Sequence, residues 1–467
     1  MRILIVSLAP LFPSAVHGGS QRILTQIAIG LAEAGNRVRI ACGERPENRG
    51  GFELARNVSV EPVLKLGPFP APYEIPPHLV AESASELRNR LEWADRLYLH
   101  ADIFHFRPLL PAGLPVIRSF HDFHYETALV SAFAYPADLT IVPSVYLKRV
   151  IEATVGSSRT LEPIQVIPNG IDLTRYVPTG GSPPRSVRPR RGNELVLLHP
   201  HRPDARKGIR QALEILADVT ARGPARTVRL LVPRHIDAAS SPEVRAYYEG
   251  VASMALERGV ARAVEYVDWL PAESMPELYS FADVTLCPGN FIESFGLTAY
   301  ESLACGTPCV AATVGAFRDF PEAADFHRFE YGDTRRAADA VIEAASGMRD
   351  PDGARRMLAA RFDAAAMVQG YVRAITGELP PAEPASHGSR HRKRATGRLG
   401  LAPWCHIAGA RIYNDYAYRH LNLPEVARAL GKQPAWSEAD LVAAASRQEV
   451  DEAILTGTLI PTAGAAV

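Results

Sequence analysis

Two carboxylates, Glu293 and Glu301, stand eight residues apart in the stretch FIESFGLTAYESLACGTPCVA, which runs from Phe291 to Ala311. Between them lie a glycine turn and the start of a helix. From Leu297 the apolar residues Leu297, Tyr300, Leu303 and Ala304 recur at intervals of three and four, so a helix is expected to begin near Gly296. It should end at Cys305-Gly306-Thr307-Pro308, with glycine just past the last turn and proline beyond. The amides of Phe295, Gly296, Leu297 and Thr298 would then face outward at the helix N-terminus, where unsatisfied donors and the helix dipole favour a phosphate. Eight helical residues span roughly 12 Å. That reach lets Glu293 hold a sugar hydroxyl while Glu301 holds a ribose hydroxyl on the far side of the anion. An ordinary βαβ turn with two solvated glutamates would read the same way on this stretch alone.

A second group of candidates is cationic. His201-Arg202-Pro203-Asp204-Ala205-Arg206-Lys207-Gly208 follows the apolar run Leu195 to Leu198 and precedes a helix from Ile209. Arg202 and Lys207 on such a loop suit a diphosphate, the first as a bidentate fork and the second as a point charge. Gly18-Gly19 follows the opening strand Ile3 to Val6 and precedes the amphipathic pattern Ile23, Ile27, Leu31; glycines there let backbone amides approach a ligand closely. The pattern lacks GxGxxG, and no acidic residue ends the second strand, Val38 to Ala41, which disfavours a nicotinamide cofactor. His121-Asp122 directly follows the strand Pro115 to Phe120, where open α/β sheets keep their ligands.

The elements that must carry these residues alternate between strand and helix along most of the chain. With 467 residues the chain is too long for one core. A first doubly wound domain is expected over 1–177, with further strands at 102–106, 138–144 and 164–167 and a proline-rich surface loop over 61–78, where Phe69 and Tyr73 could form a lip. The Pro-, Gly- and Arg-rich stretch 178–193 reads as an exposed linker. A second domain follows over 194–378, with strands near 195–198, 228–232, 264–267, 283–286, 308–312 and 326–329. Residues 379–400 are basic and read as a flexible linker. Residues 401–467 carry three helical patterns, 424–430, 437–446 and 449–455, and read as a small helical appendage for docking or oligomerisation.

Lys+Arg and Asp+Glu both total 51, so no global field favours nucleic acid, and no basic recognition helix accompanies the faint helix-turn-helix pattern at 424–431. Five scattered cysteines fit reduced thiols in a cytoplasm better than a disulfide framework. No apolar run reaches the 18 or so residues a membrane span requires, although peripheral contact with the inner membrane face stays open. The DxD at Asp350-Pro351-Asp352 follows a polar stretch and reads as a loop at a helix start, so no metal site is expected.

Taken in order, Gly18-Gly19, His121-Asp122, Pro168-Asn169-Gly170-Ile171-Asp172, Arg202 with Lys207-Gly208, and Glu293-Ser294-Phe295-Gly296 with Glu301 resemble the retaining GT-B glycosyltransferases of family 4. The resemblance covers residues 1 to about 378. It implies two Rossmann-like domains facing across a cleft and transfer of a sugar from a nucleotide-diphosphate sugar, a UDP- or GDP-sugar, without a cofactor or metal. By the same resemblance Gly19, Arg202 and Lys207 touch the diphosphate, Glu293 the transferred sugar and Glu301 the ribose, while His121 lines the sugar pocket. Front-face substitution with retention is likewise implied. His201 stands where the family usually has glycine, and Val314-Gly315-Ala316 where a double glycine is frequent. The acceptor is left open among saccharide, lipid, peptide and small molecule. A protein that binds nucleotide sugars without turnover, acting through its tail, is the alternative.

Overall fold

The structure is a computed structural model that describes residues 1–13, 18–67, 74–100, 109–134, 137–156, 161–223, 227–238, 241–268, 270–323, 325–347, 349–377 and 397–462. The expected strand at 102–106, the lip residues Phe69 and Tyr73 and nearly all of the basic linker lie outside these residues.

The first sheet has eight strands: β1 (Arg2–Ser7), β2 (Arg37–Gly43), β3 (Phe52–Ala55), β4 (Val58–Leu64), β5 (Arg96–Leu99), β6 (Val116–Ser119), β7 (Leu139–Val142) and β8 (Ile164–Val166). Their order is β3-β4-β2-β1-β5-β6-β7-β8, all parallel except the β3–β4 pair. Helices α1 (Gly19–Glu33), α2 (Pro77–Leu91), α3 (Glu126–Ala134) and α4 (Val145–Val155) connect them. Ile3, Leu4, Ile5 and Val6 are all fully buried, as a strand covered by helices on both faces requires. The proline-rich loop expected over 61–78 is corrected at its start: Glu61–Leu64 complete β4, which pairs in parallel with β2 and antiparallel with β3. The hairpin turns at Asn57, whose φ of 65° is one that asparagine tolerates.

The second sheet holds β9 (Glu194–Leu198), β10 (Thr227–Pro233), β11 (Val264–Val267), β12 (Val284–Cys287), β13 (Cys309–Ala312) and β14 (Phe326–Phe329), in the order β11-β10-β9-β12-β13-β14 and parallel throughout. Its helices are α5 (Ile209–Ala221), α6 (Pro242–Glu257), α7 (Met275–Phe281), α8 (Leu297–Ala304), α9 (Thr334–Ser346) and α10 (Pro351–Arg361). Strand order reverses between β1 and β5 in one sheet and between β9 and β12 in the other. Ligands of open α/β sheets sit at such reversals. The loops leaving β1, β9 and β12 there are those that carry Gly18-Gly19, the Arg202–Lys207 pair and Glu293.

Two boundaries differ from the sequence expectation. Helix α11 (Ala364–Thr376), expected within the second domain, packs on α1 of the first: Met367, Tyr371 and Ile375 join the core that holds Ile23 and Ile27. The linker at 178–193 is tied to the second domain, because Arg188 pairs with Glu194 at 2.9 Å and Arg190 with Asp283 at 2.6 Å, and Val187 is buried. The C-terminal appendage is likewise more than helical. Its helices α12 (Pro424–Lys432), α13 (Glu438–Ala444) and α14 (Arg447–Leu455) stand where expected, but two three-stranded antiparallel sheets accompany them. These comprise β15 (Arg398–Leu401), β16 (Cys405–Ala408), β17 (Arg411–Asn414), β18 (Arg419–Leu421), β19 (Ala435–Ser437) and β20 (Leu459–Pro461). Strands of three or four residues are too short to show a period of two.

All five cysteines are free and buried. Among the described residues no helix is long and apolar enough to cross a membrane.

The return of the chain to the first domain depends on Gly170. Its Cβ position lies 2.3 Å from Ala364 Cα and 2.9 Å from Asp363 O, both backbone atoms that cannot swing aside. Gly170→Ala should therefore destabilise the protein by about 1–3 kcal/mol or more, seen as a lower urea midpoint; an unchanged midpoint would contradict this packing.

Candidate active site

Helix α8 begins at Gly296, whose φ of +90° is in the left-handed region and whose Cβ position falls 2.3 Å from the Phe317 ring, so glycine is required on both counts. The side chain of Phe295 turns into the core and stacks on Tyr300 with ring centroids 4.3 Å apart, so only its amide faces the cleft end of the helix. The first-turn amides of Leu297 and Thr298 have no acceptor within the helix. Across the cleft lies the turn after β1: the Cβ position of Gly19 is 2.8 Å from Leu297 Cδ1, which brings the starts of α1 and α8 together. Gly18 is the extended N-cap of α1 and makes no side-chain cap.

Lys207 Nζ lies 2.6 Å from Glu293 Oε1 and 3.5 Å from the centre of the Phe291 ring. Both members of this pair are largely shielded, with side chains 13% and 18% exposed, so their attraction is screened less than that of a surface pair. The loop that brings Lys207 there is packed backbone to backbone on the loop after β12. Gly208, at φ +88°, approaches within 2.4 Å of Gly289 N at its Cβ position, and Phe291 N donates to Arg206 O at 2.8 Å. Asp204 caps the short turn by accepting from Arg206 N at 3.0 Å. His201, where the family usually has glycine, is turned away: its Nε2 meets Leu286 O at 2.9 Å and burial lowers its pKa to about 3. The Arg202 guanidinium lies over Phe291 and donates to Tyr125 OH at 3.2 Å in the first domain.

The carboxylate of Glu301 is 7% exposed and faces the first domain. It accepts from Arg22 Nη2 and, at 2.9 Å, from Tyr279 OH; Arg22 Nη1 also donates to Tyr176 OH at 2.6 Å. Burial opposes the charge on Arg22, but Glu301 and the two tyrosines outweigh it and raise the guanidinium pKa. Glu293 is held from behind by the Ala316 amide, which donates to its carbonyl at 2.7 Å. Gly315 permits this approach, since its Cβ position is 2.5 Å from Glu293 O and its φ is +56°. The departure at Val314-Gly315-Ala316 thus keeps glycine at the position where the chain touches Glu293.

His121 lies two residues beyond the end of β6 and its ring packs beside that of His100. Its Nε2 is 3.1 Å from Ser119 Oγ, and Ser119 Oγ is 2.8 Å from Tyr98 OH, which in turn is 2.9 Å from His100 Nδ1. His100 Nε2 reaches Ser20 Oγ at 3.0 Å, beside the Gly18-Gly19 turn. Burial lowers the pKa of His121 to about 4, so its ring is neutral at pH 7 and serves as a hydrogen-bonding group. Ser294 Oγ donates to the His121 carbonyl across the cleft.

The structure therefore brings Gly18, Gly19, His121, Lys207, Arg202, Glu293, Ser294, Gly296, Leu297, Thr298 and Glu301 to one cleft, with Phe295 contributing backbone only. Sequence reasoning missed Arg22, Phe291, Tyr98 and His100. Arg22 lies three residues after the glycine pair, but its partner is 279 positions away. Among the described residues no group of three or more His, Cys, Asp or Glu could hold a metal ion, and Asp350 instead caps α10 by accepting from Gly353 N at 2.8 Å.

Residues 17–175 match the family model Glycosyltransferase Family 4, and residues 185–352 match Glycosyl transferases group 1. The D-inositol 3-phosphate glycosyltransferase of Acidothermus cellulolyticus is 30% identical over 333 residues, 64% of this chain and 71% of that protein. The chain belongs to the family 4, group 1 glycosyltransferases. A second relative of the same name, from Geodermatophilus obscurus, is 35% identical over 153 residues, 33% of each chain. The glycosyltransferase also shares its GT-B fold with sucrose-phosphate synthase from Thermosynechococcus elongatus, at a TM-score of 0.63 and 20% identity over 80% of this chain and 98% of that one. Anabaena HepE, solved with UDP-glucose, has a TM-score of 0.60 at 18% identity over 80% and 99% of the two chains. Residues 397–462 lie beyond both family matches.

Two expectations follow for this glycosyltransferase. Arg22→Met leaves the Glu301 carboxylate buried with one tyrosine, and should cost about 3 kcal/mol, the low end for a broken buried pair because both side chains keep some solvent contact; the double variant Arg22→Met/Glu301→Gln should recover part of that in urea unfolding. His121 and His124 both have pKa values lowered to about 4, chiefly by burial, and His201 to about 3. As pH falls from about 6.5 the unfolded chain takes up protons on these rings that the folded chain refuses until near pH 4. Stability should therefore decline across that window, and equal urea midpoints at pH 7.5 and pH 5 would refute the burial of these rings.

Proposed function

We propose that the protein is a retaining, metal-independent glycosyltransferase that moves a sugar from a nucleotide-diphosphate sugar to an acceptor hydroxyl. The observation that carries this reading is the Lys207–Glu293 pair beside the start of α8, with the glycine turn after β1 meeting that same helix end from the other domain. Breaking the anomeric C–O bond puts negative charge on the diphosphate and positive charge on the sugar. Lys207, Arg202 and the first-turn amides of α8 stand where the negative charge develops, and fixed donors in a dry cleft stabilise such charge strongly. Glu293, oriented by the Ala316 amide behind it and paired with Lys207, holds a sugar hydroxyl and binds the sugar instead of attacking it. Glu301 takes a ribose hydroxyl, sharing the tyrosine and arginine that already hold it. Neutral His121 donates or accepts a hydrogen bond at the sugar, and the leaving phosphate takes the acceptor proton in a front-face substitution.

UDP-glucose on HepE supports a uridine donor, with GDP-sugars as the other candidates. The names of the closely matching relatives support including an inositol phosphate among the acceptors tested, alongside saccharides, lipids and peptides. The buried reduced thiols support action in the cytoplasm.

The test is nucleotide release from a panel of UDP-, GDP- and ADP-sugars, with and without acceptors and with and without EDTA. One donor should be turned over equally well in EDTA, and the anomeric configuration read by NMR should be that of the donor. Glu293→Ala and Lys207→Ala should each lower kcat by about 100-fold or more, as loss of one charge-stabilising contact does, whereas Glu301→Ala should mainly raise the donor Kd. Full rates in the first two variants would sink the site, and no release from any donor would sink the activity.

A further inference from the structure

The C-terminal module has its own core, built from residues such as Ile412, Leu423, Val426, Leu441 and Val450, yet one of its turns leaves that core and enters the cleft region. Asn414, fully buried, shapes this turn. Its Oδ1 accepts from the amides of Tyr416 at 3.0 Å and Ala417 at 3.1 Å, and its Nδ2 donates back to Thr456 O and Thr458 Oγ1, both at 3.1 Å. Tyr418 closes the turn at φ 55°, a strained value for a tyrosine.

The next residue, Asp415, is fully buried and meets both domains. Tyr146 OH of α4 donates to its Oδ2 at 2.6 Å, Arg318 Nη2 pairs with the same oxygen, and Gly315 N points at Oδ1 at 3.4 Å. Gly315, Ala316 and Arg318 belong to the short helical turn that fixes the Glu293 carbonyl. One residue further, Tyr416 OH donates to Phe123 O at 2.9 Å, within the loop that follows His121. The docking is extensive elsewhere: His406 Nε2 meets Glu330 Oε2 at 2.6 Å, His420 Nε2 meets Tyr331 O at 2.9 Å, and Tyr413 is buried in the second domain's core. A tethered appendage would not bury a carboxylate. Removing one partner of such a pair leaves an uncompensated charge, so Asp415 and Arg318 are stable only while the module is docked.

We infer that the turn Asn414–Tyr418 is a positioning element of the transfer site, holding the Glu293 loop through Asp415 and the His121 loop through Tyr416, so that the sugar end of the cleft is assembled by the docked module. Arg202, Lys207 and Glu301 are held by partners outside the turn, Tyr125, Glu293 and Arg22, although Tyr418 of the turn reaches Arg206 between the two cations. The module should therefore govern turnover more than donor affinity. This gives the module a role that the expectation of a docking or oligomerisation tail did not include. It rests on the transferase reading only for what is measured as turnover.

The full-length protein tests this in two arms. In hydrogen exchange without substrates, Asp415→Asn should speed exchange of residues 314–319 and Tyr416→Phe that of residues 121–125, each by about tenfold, the effect of losing one hydrogen bond to a charged or buried partner. Residues 424–432 of the module should exchange as in wild type. With the donor that wild type turns over, both variants should lose about tenfold in kcat with the donor Kd changed less than about threefold, whereas Arg447→Ala, on the module's exposed side, should match wild type. Asp415→Glu should restore part of the rate, which a general loss of stability would not explain. Should Asp415→Asn fail to fold, Tyr416→Phe, which removes one oxygen atom, decides the matter. Unchanged exchange in the two loops overturns the inference, as does full kcat in a variant whose loop exchange has risen. A wild type without turnover refutes the transferase reading separately, and the exchange arm still decides the positioning role.

Discussion

The ion pair between Arg22 on α1 and Glu301 on α8 is the constraint on which the cleft depends. Each residue lies in the first or second turn of a helix that starts at a strand-order reversal, one in each domain. Pairing them with Tyr176 and Tyr279 at a site only 19% and 10% exposed brings the two reversals face to face. Neither charge could be buried alone, because desolvation would exceed any packing gain. The pair therefore specifies a relative orientation of the domains, and the contact of Gly19 with Leu297 and the bond from Ser294 to the His121 carbonyl follow from that orientation.

Within that frame the charges divide into layers. Lys207 and Glu293 form a compact pair, Arg202 is more open and reaches Tyr125, and Glu301 is fixed deepest. On the proposed reading, a diphosphate at the start of α8 would meet Lys207 already paired and Arg202 half solvated. In that proposed complex, binding would redistribute Lys207 between Glu293 and the phosphates, and the interaction would grow as the leaving group gains charge. That is the condition for a contact to favour the transition state over the bound donor.

Much of this was legible in the sequence because the relevant signals are local. The period of α8, the glycine at its start and the cations between a strand and a helix are each set by a few adjacent residues, and they placed Glu293 before α8, Glu301 within it, and Arg202 and Lys207 between β9 and α5. The pairing of Arg22 was not legible, since its partner is in another domain and an arginine on an amphipathic helix usually faces water. The same holds for His100: it follows the short strand β5, and the neighbouring residues 101–108 carry an aromatic run that draws the strand assignment away from Arg96–Leu99. The β3–β4 hairpin was hidden for another reason. Prolines within and after β4 suggest a loop, yet Pro62 lies in the strand itself, whose register on β2 shifts just there, between Cys42 and Gly43. A bulge in the ladder accepts such a residue.

The C-terminal module shows how far composition can mislead about partnership. Its aromatic residues and basic approach suggest a surface for another molecule, and its helices, read singly, look like a free-standing bundle. What the structure adds is where its polar residues go. Asp415, Asn414, His406 and His420 find partners in the module's own strands or in the two catalytic domains, and Tyr413 enters the second domain's core. The face of the module carrying these groups has given them up to its own chain. The strained backbone of Tyr418, at the point where the turn meets the cleft, marks where that arrangement constrains the chain most, and Asn414 is the residue that makes the strained turn affordable by satisfying its amides from within the module.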